Sequence, residues 1–595
     1  MTVNVDMLLK IKTKSVVTMR KTILAQTISM VLMTASFSGY VIAEEAKPSD
    51  ENIERIIVTG TSKGRAVADT PMSVTQINAH DLIKLSFSSQ ADVLRAVPGV
   101  KVEGGGGEVA TNLQVRGLPS AGQFQFTPIL IDGSPAFSTF GLNSSAFDVY
   151  FRNDLGIERL EFVRGGVSNL FGPGSVAGII NYITKKGGDE FESTVQLEVA
   201  EEGRTRVDFT NSGPLNDQGL YYAVSGFYRY DEGPIDTGLE TKGGQFRGNI
   251  HKEFEDGTGS FTVYTQLIDD DVQFFLPFPL NGEGKSRAQG NDGRSVYSTQ
   301  THHASALSYQ TATGQYDTPI EDGVTTQGGA ITIEFNKDLS DDLSLNAKAH
   351  YADYDHEFNL FLDGDGITNI PETQAQYLAN RGLPGIANAA FTWADTGEAL
   401  PADYLLFANR ILDRDRPAED FSAEINLAKT LEAFEFDHTI TFGSYFSKAE
   451  ADDDNVITTY LAEFNNTPRL VNLTVTDTDG SISGVEGTNV TVSQNGLLGP
   501  GISYSNKTLE ATRYAFYLAD QFENDRWIFD LGVRWEHIEG DIHQEGSDWV
   551  SLSEDITLHP NLRRNRAGNG LLLLVRSQPV NGQFQGPHFT ACRIT

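Results

Sequence analysis

The chain has 595 residues, 45 of them basic and 80 acidic, and its net charge of -35 would repel a phosphate backbone, which excludes nucleic acid as a partner. Hydrophobic residues make up 39% and are spread out instead of gathering into apolar runs of about 20, which excludes a polytopic helical membrane protein. The single cysteine, Cys592, cannot close an intramolecular disulfide and offers no zinc-ligand or thiol-relay spacing.

From the N-terminus, Arg20 and Lys21 precede the uncharged stretch Thr22 to Tyr40, and Val41, Ile42 and Ala43 place small or apolar residues before Glu44. This order predicts a signal peptide over residues 1–43, with Met19 as an alternative start, and export from the cytoplasm. Gln26, Thr27, Ser29 and Thr34 make the stretch too polar for a membrane anchor. Residues 44–63 read as a flexible leader, polar and acidic up to Asn52. Within it the run Ile56, Ile57, Val58, followed by Thr59 and Gly60, suits strand addition to another protein's sheet edge or the first strand of the next domain.

Residues 64–188 carry a mixed α+β pattern. Strands are expected at Met72 to Ile77, Val100 to Glu103, Leu113 to Arg116, Pro128 to Asp132, Ile157 to Val163 and Gly178 to Thr184. Helices are expected at Ala79 to Leu85 and at Ser89 to Val97, the second stopped by Pro98 and Gly99.

Beyond Gly188 segments of about ten residues alternate apolar and polar, as a strand between lipid and lumen requires. Leu343, Leu345, Ala347, Ala349 and Tyr351 fall on one face and Ser344, Asn346, Lys348 and His350 on the other. Phe261, Val263 and Leu267 alternate with Thr262, Tyr264 and Gln266, and Trp527, Phe529, Leu531, Val533 and Trp535 repeat the pattern with aromatic ends. A soluble β-sandwich alternates in the same way, so the connections discriminate better. Short linkers at Asn336 to Asp342 and Glu523 to Arg526 contrast with long polar ones at Asp269 to Gln327, Glu357 to Glu419 and Glu450 to Glu510. Long structureless loops are uncommon in compact soluble domains, whereas a membrane barrel carries them on its outer side.

At this point the letters resemble a family. IIVTG at Ile56 to Gly60, ADVLRAVPGV at Ala91 to Val100, LQVRGL at Leu113 to Leu118, ILIDGSP at Ile129 to Pro135 and ERLEFVRGGVSNLFGPGSVAGIINYITKKG at Glu158 to Gly187 together resemble the plug of TonB-dependent outer-membrane receptors. The fold so implied is an α+β plug domain, residues 64–188, followed by an antiparallel transmembrane β-barrel over residues 189–562. The implied function is energy-coupled uptake of a scarce nutrient: an iron-siderophore complex first, then an oligosaccharide or cobalamin. Ile56, Ile57, Val58, Thr59 and Gly60 would be the TonB box, loosely packed in the isolated receptor and added as a strand to the TonB energy-coupling protein. Arg116 and Arg164 resemble the plug arginines that pair with barrel-wall carboxylates, since a buried guanidinium must be paired. The further implied partners are outer-membrane lipid and the nutrient ligand.

The loops corresponding to the family's ligand-facing ones are Gly104 to Asn112, Ser120 to Gln125 and Ser134 to Phe147. Gln123, Phe124, Phe137 and Phe140 within them suit an aryl or catecholate siderophore or a sugar face, and equally suit packing of plug on barrel. Gly165, Gly166, Gly172, Gly174 and Gly178 match neither nucleotide-loop spacing and read as tight turns. The acidic clusters Asp269 to Asp271, Asp363 with Asp365, and Asp452 to Asp454 read as solvated charge in outer loops, and His302 and His303 as loop residues. No spacing for a catalytic group, a metal or a cofactor is present, so no enzyme is expected. A passive porin would explain strands and acidity but not the plug motifs.

Roughly eleven strands follow Ser193, about half of the 22 in plugged transporters, so an incomplete barrel is expected. Residues 563–595 hold five arginines, no lysine and no acid, and read as an aberrant basic tail from a shifted reading frame or truncated gene near Leu562. A short barrel with an odd tail is the alternative. On the first reading the product would be a non-functional truncated receptor.

Overall fold

The computed structural model describes residues 73–550, apart from 86–87, 105–106, 119–123, 125, 139–146, 165–174, 176, 202, 234–236, 276–300, 303–306, 312–313, 363–370, 466 and 525–526, together with 56–57, 65–66 and 563–571. Residues 1–55, Val58, Thr59, Gly60, Gln123, Phe140, Asp363, Asp365, His303 and Cys592 lie outside the described residues.

Strand β1 (Ile56–Ile57) pairs antiparallel with β2 (Arg65–Ala66). The backbone of Ile56 and Ile57 is therefore bonded within the chain, where a loosely packed segment was expected. β3 (Ser73–Asn78) leads to a helix over Ala79–Leu85. The next helix, Gln90–Arg95, starts where Ser89 and Asp92 form a reciprocal capping box, each side chain bonding the other's backbone N–H. Gly99 beyond its end takes a φ of 78°, which a glycine accepts without cost. β4 (Val100–Glu103) and β5 (Asn112–Val115) form a hairpin. β6 (Ile129–Ile131), β7 (Ser134–Pro135), β8 (Ile157–Arg164) and β9 (Ile179–Thr184) join β3 in a five-stranded sheet of order β3-β8-β9-β6-β7. Val93, Leu94, Leu160, Phe162 and Ile180 fill its core, so this domain buries its apolar side chains as a soluble protein does.

The rest is one antiparallel sheet. It begins β10 (Glu192–Val199), β11 (Thr205–Asn216), β12 (Leu220–Asp231), β13 (Thr241–Glu253) and β14 (Gly259–Val272). A small separate hairpin, β15 (Ser308–Thr311) and β16 (Gly314–Asp317), precedes β17 (Val324–Ser340) and β18 (Leu343–Phe358). Then come β19 (Leu360–Leu362), β20 (Glu372–Thr373), a helix over Gln374–Asn380, β21 (Ala389–Trp393) and β22 (Leu405–Asp415). β23 (Ala418–Ala433), β24 (Phe436–Glu463), β25 (Val471–Thr476), β26 (Asn489–Gln494), β27 (Leu497–Glu523) and β28 (Ile528–Val550) follow. β29 (Arg563–Leu571), in the segment expected to be a tail, pairs with β28. The sheet runs from β10 to β29, and among the described residues no pairing joins those two.

Its faces are inverted relative to a soluble protein. Val195, Leu197, Ile250, Ile331, Phe442, Phe516, Leu531 and Val533 are exposed, while Arg229, Thr262, Gln266, His350, Ser447 and Asp420 are buried. An apolar outer face with a polar inner one is the arrangement of a strand between lipid and lumen. Among the described residues no helix is long and apolar enough to cross a membrane.

The connections correct one expectation. The turn between β23 and β24 is Phe434 and Glu435, both at positive φ, as a two-residue hairpin of primed type requires. The long connections, in contrast, are not structureless: 357–419 holds β19 to β22, and 450–510 is largely β24 to β27. In this outer sheet β22, the end of β24 around Tyr460 to Ala462 and the start of β27 at Leu497 and Leu498 are covered on both faces. Phe407, Tyr460 and Leu497 pack into one cluster and Leu406, Leu461 and Leu498 into another. Alternation disappears where both faces are buried, so these strands read as loop.

Candidate functional site: the seat of the plug in the wall

The segment between β7 and β8 fastens the N-terminal domain to the wall. A short 3-10 turn, Phe147–Tyr150, turns Asp148 inward, where its carboxylate accepts the backbone N–H groups of Ala110 at 3.2 Å and Thr111 at 3.0 Å. Burial pushes the Asp148 carboxyl above the usual carboxylate range, against the opposing pull of the Thr111 bond and of Arg152. Tyr150 stacks on Tyr354 of β18, with ring centroids 4.4 Å apart. Arg152 donates from Nε to Asp270 of β14 at 2.9 Å and from Nη1 to the Asp148 carbonyl. Gln245 of β13 grips the Arg152 backbone from both sides, accepting its N–H at 3.0 Å and donating to its carbonyl at 3.2 Å.

Asp270 is shared. Arg229 of β12 also donates to it, and the same guanidinium reaches Glu108 of the plug at 2.7 Å. Arg204, in the turn before β11, holds Glu108 at 3.1 Å as well as Glu198 and Asp231. Two plug segments, around Glu108 and around Arg152, therefore meet on one pair of wall residues, Arg229 and Asp270. Every charge in that set has an opposite partner, the condition under which buried charge is tolerated. Further along, Ser138 donates its N–H to Asp420 of β23 at 2.9 Å and its hydroxyl to the same oxygen. Gly156 sits so close to β12 that a Cβ there would lie 1.9 Å from the Ser225 hydroxyl.

The residues expected at the site are placed differently. Arg116 is exposed at a turn with φ of 54°. Arg164 donates to the hydroxyls of Ser73 and Thr75 and lies 5.5 Å from the Phe162 ring centre. Burial and then the neighbouring charge of Arg116 hold Arg164 below its ordinary value. Among the described residues no ion pair of either arginine with a wall carboxylate is seen, and Arg152 and Glu108 make ion pairs with the wall. Phe124 and Phe137 are 1% and 4% exposed and belong to the plug core, with Phe137 stacked on Tyr150; neither ring is open to a ligand in this structure. Of the acidic clusters read as solvated, Asp270 is buried, and Asp453 is held by Arg414 at 2.6 Å and Arg416 at 2.9 Å. Gly178 is a close approach, where a Cβ would meet the Val163 carbonyl at 2.4 Å, and not a positive-φ turn.

Asp148, Arg152 and Glu108 were not singled out by sequence. The one signal is the charge alternation Asp148, Arg152, Asp154 immediately before a strand, which carries no spacing rule.

Residues 66–179 match the family model of the TonB-dependent receptor plug domain. The chain is 31% identical over 216 residues to the iron-regulated outer membrane virulence protein of Vibrio cholerae, a match covering 35% of this chain and 32% of that protein. It is 23% identical over 404 residues to the ferrichrome outer membrane transporter/phage receptor of Escherichia coli, covering 66% of this chain and 47% of the other. In fold it resembles the siderophore receptor PiuA of Acinetobacter baumannii, with a TM-score of 0.58 at 16% identity over 86% of this chain and 62% of that one. The matches thus span less than two thirds of these proteins' lengths.

Proposed function

We propose, from the premise that this chain belongs to the TonB-dependent outer-membrane receptor family, that it takes up an iron-siderophore complex at the cell surface and passes it to the periplasm by displacement of the plug. The family is one of transport receptors, and the outer membrane is its place. The observation that carries the reading is the seat itself: a domain with an apolar core, held by hydrogen bonds and ion pairs, inside a wall that is polar inward and apolar outward. The polar part of such a seat can part and re-form because water can replace its hydrogen bonds. The printed names of the relatives, an iron-regulated protein, a ferrichrome transporter and a siderophore receptor, support iron chelates ahead of other ligands. Cobalamin stands second, since a vitamin B12 transporter of Vibrio vulnificus is 28% identical over 227 residues.

Ile56 to Gly60 is proposed as the segment that adds to the energy-coupling protein. It would first have to leave the pairing with Arg65 and Ala66. Gln123, Phe124, Phe137 and Phe140 remain the proposed ligand loops, with the two described phenylalanines becoming available only if the loop shifts. Radioactive iron supplied as hydroxamate, catecholate and carboxylate siderophores to cells lacking other receptors tests the ligand. Val58→Pro, which removes a backbone donor, tests the coupling. Uptake of one class that stops in the proline variant is expected; equal energy-dependent uptake with proline would remove the coupling assignment.

A further inference from the structure

The turn between β23 and β24 combines two unfavourable features at one pair of residues. Phe434 and Glu435 stand at φ values of 53° and 66°, a shape that Asn and Gly take readily and that is an outlier for a bulky side chain. Phe434 is also 92% exposed, more than any other large apolar side chain among the described residues. Other short turns at the same end of the sheet carry polar tips: Asp217 and Gln218 after β11, Glu255 and Asp256 after β13, Asp341 and Asp342 after β17. A strained backbone that holds an apolar ring clear of the protein costs stability twice, and such a cost persists where it serves something beyond the turn itself.

The surface on either flank of the turn shows what covers the ring. On β23 Leu431 is exposed on the lipid-facing side, in alternation with Ile425 and Leu427. On β24 Phe436 falls on the side of Phe442, and on β27 Phe522 falls on the side of Phe516. Phe522 lies 5.4 Å from Phe436 and 5.0 Å from Phe529 of β28, ring centre to ring centre. The apolar outer surface therefore runs to the last residues of these strands and borders the turn. We propose that Phe434 continues it: the hairpin tip is a membrane anchor, its ring inserted into the leaflet on the periplasmic side, at the depth where aromatic side chains are favoured. This is a lipid contact made by a turn, beyond the strands that form the wall. A second copy of the chain is disfavoured as the occupant, because the exposed carboxylates of Glu432, Glu435 and Asp437 would meet their own counterparts. The inference goes beyond the uptake reading and does not depend on which nutrient is carried.

Nitroxide spin labels in the full chain, folded into phosphatidylcholine vesicles, test this. Phe434→Cys and, for comparison, Asp341→Cys are each made together with Cys592→Ser, which removes the single native cysteine. The label at 434 should collide several-fold more with dissolved oxygen, which concentrates in lipid, than with a water-soluble nickel chelate, and the label at 341 should show the reverse. A label at 434 as open to the chelate as the one at 341 overturns the proposal, and would leave the ring to a periplasmic protein. A second measurement uses no label. Phe434→Gln should lower the folding equilibrium in the same vesicles by about tenfold, as loss of a buried apolar ring predicts. Phe434→Leu makes the same demand on the backbone and should retain most of that equilibrium. Equal stability of the Gln and Leu variants overturns the anchor, since the backbone and not the lipid would then set the effect. Neither measurement needs a ligand or a coupling partner, so their failure is distinct from failure of the proposed uptake.

Discussion

The plug and the wall are made by one chain yet solve opposite solvation problems. In the plug Leu160, Phe162, Ile180 and Tyr182 are inside; in the wall Ile250, Ile331, Leu531 and Val533 are outside, and Arg229, Arg247 and Asp270 are inside. What differs is the solvent at each surface. The wall's outer face meets hydrocarbon, which offers no hydrogen bonds, and its inner face meets the plug and water, which do. The contact between the two regions is of both kinds: ion pairs at Glu108, Arg152, Arg229 and Asp270, beside an apolar cluster in which Phe137 and Tyr150 of the plug join Ile268 and Tyr354 of the wall.

Four substitutions would break or sharpen this contrast. The largest effect is expected from Asp270→Ala, which strands Arg152 and Arg229 without the carboxylate between them and should destabilise the plug's seat by about 3–5 kcal/mol. Protease nicking of the plug in folded receptor would report it; a nicking rate equal to the parent's would show that Asp270 does not hold the seat. Phe162→Ala removes a fully buried ring from the plug core and should cost about 3–5 kcal/mol in the plug's chemical denaturation while leaving the wall's transition in place. Ile331→Lys, in the middle of β17 and facing outward, should cost about 2–4 kcal/mol when the receptor folds into bilayers. If that face met water instead, the exchange would fall within about 0.5 kcal/mol, as for an ordinary surface site, and the membrane reading of the wall would be falsified. The smallest effect belongs to Ser89→Ala, which opens the capping box of the helix Gln90–Arg95 and should lower plug stability by about 1 kcal/mol, read by the same denaturation.

The sequence by itself determined the local elements wherever one face was buried and the other was not. β4 begins and ends at Val100 and Glu103 as expected, the helix Ala79–Leu85 has the expected limits, and the alternation of Phe261 to Leu267 is the alternation seen in β14. Those features depend on neighbours in sequence, through turn chemistry and strand period. The double-sided strands β22 and upper β24 were illegible because burial on both faces erases the period. The seat was illegible for a stronger reason. Nothing at Glu108, Arg152, Arg229 or Asp270 distinguishes it from a solvated charge until β12 and β14 are set side by side with the plug between them. The two arginines that did carry a motif, Arg116 and Arg164, found no wall partner among the described residues. Charge pairing acts over a few ångströms of space and takes no account of distance along the chain, so only the tertiary structure decided which of this chain's many charges became its fastening.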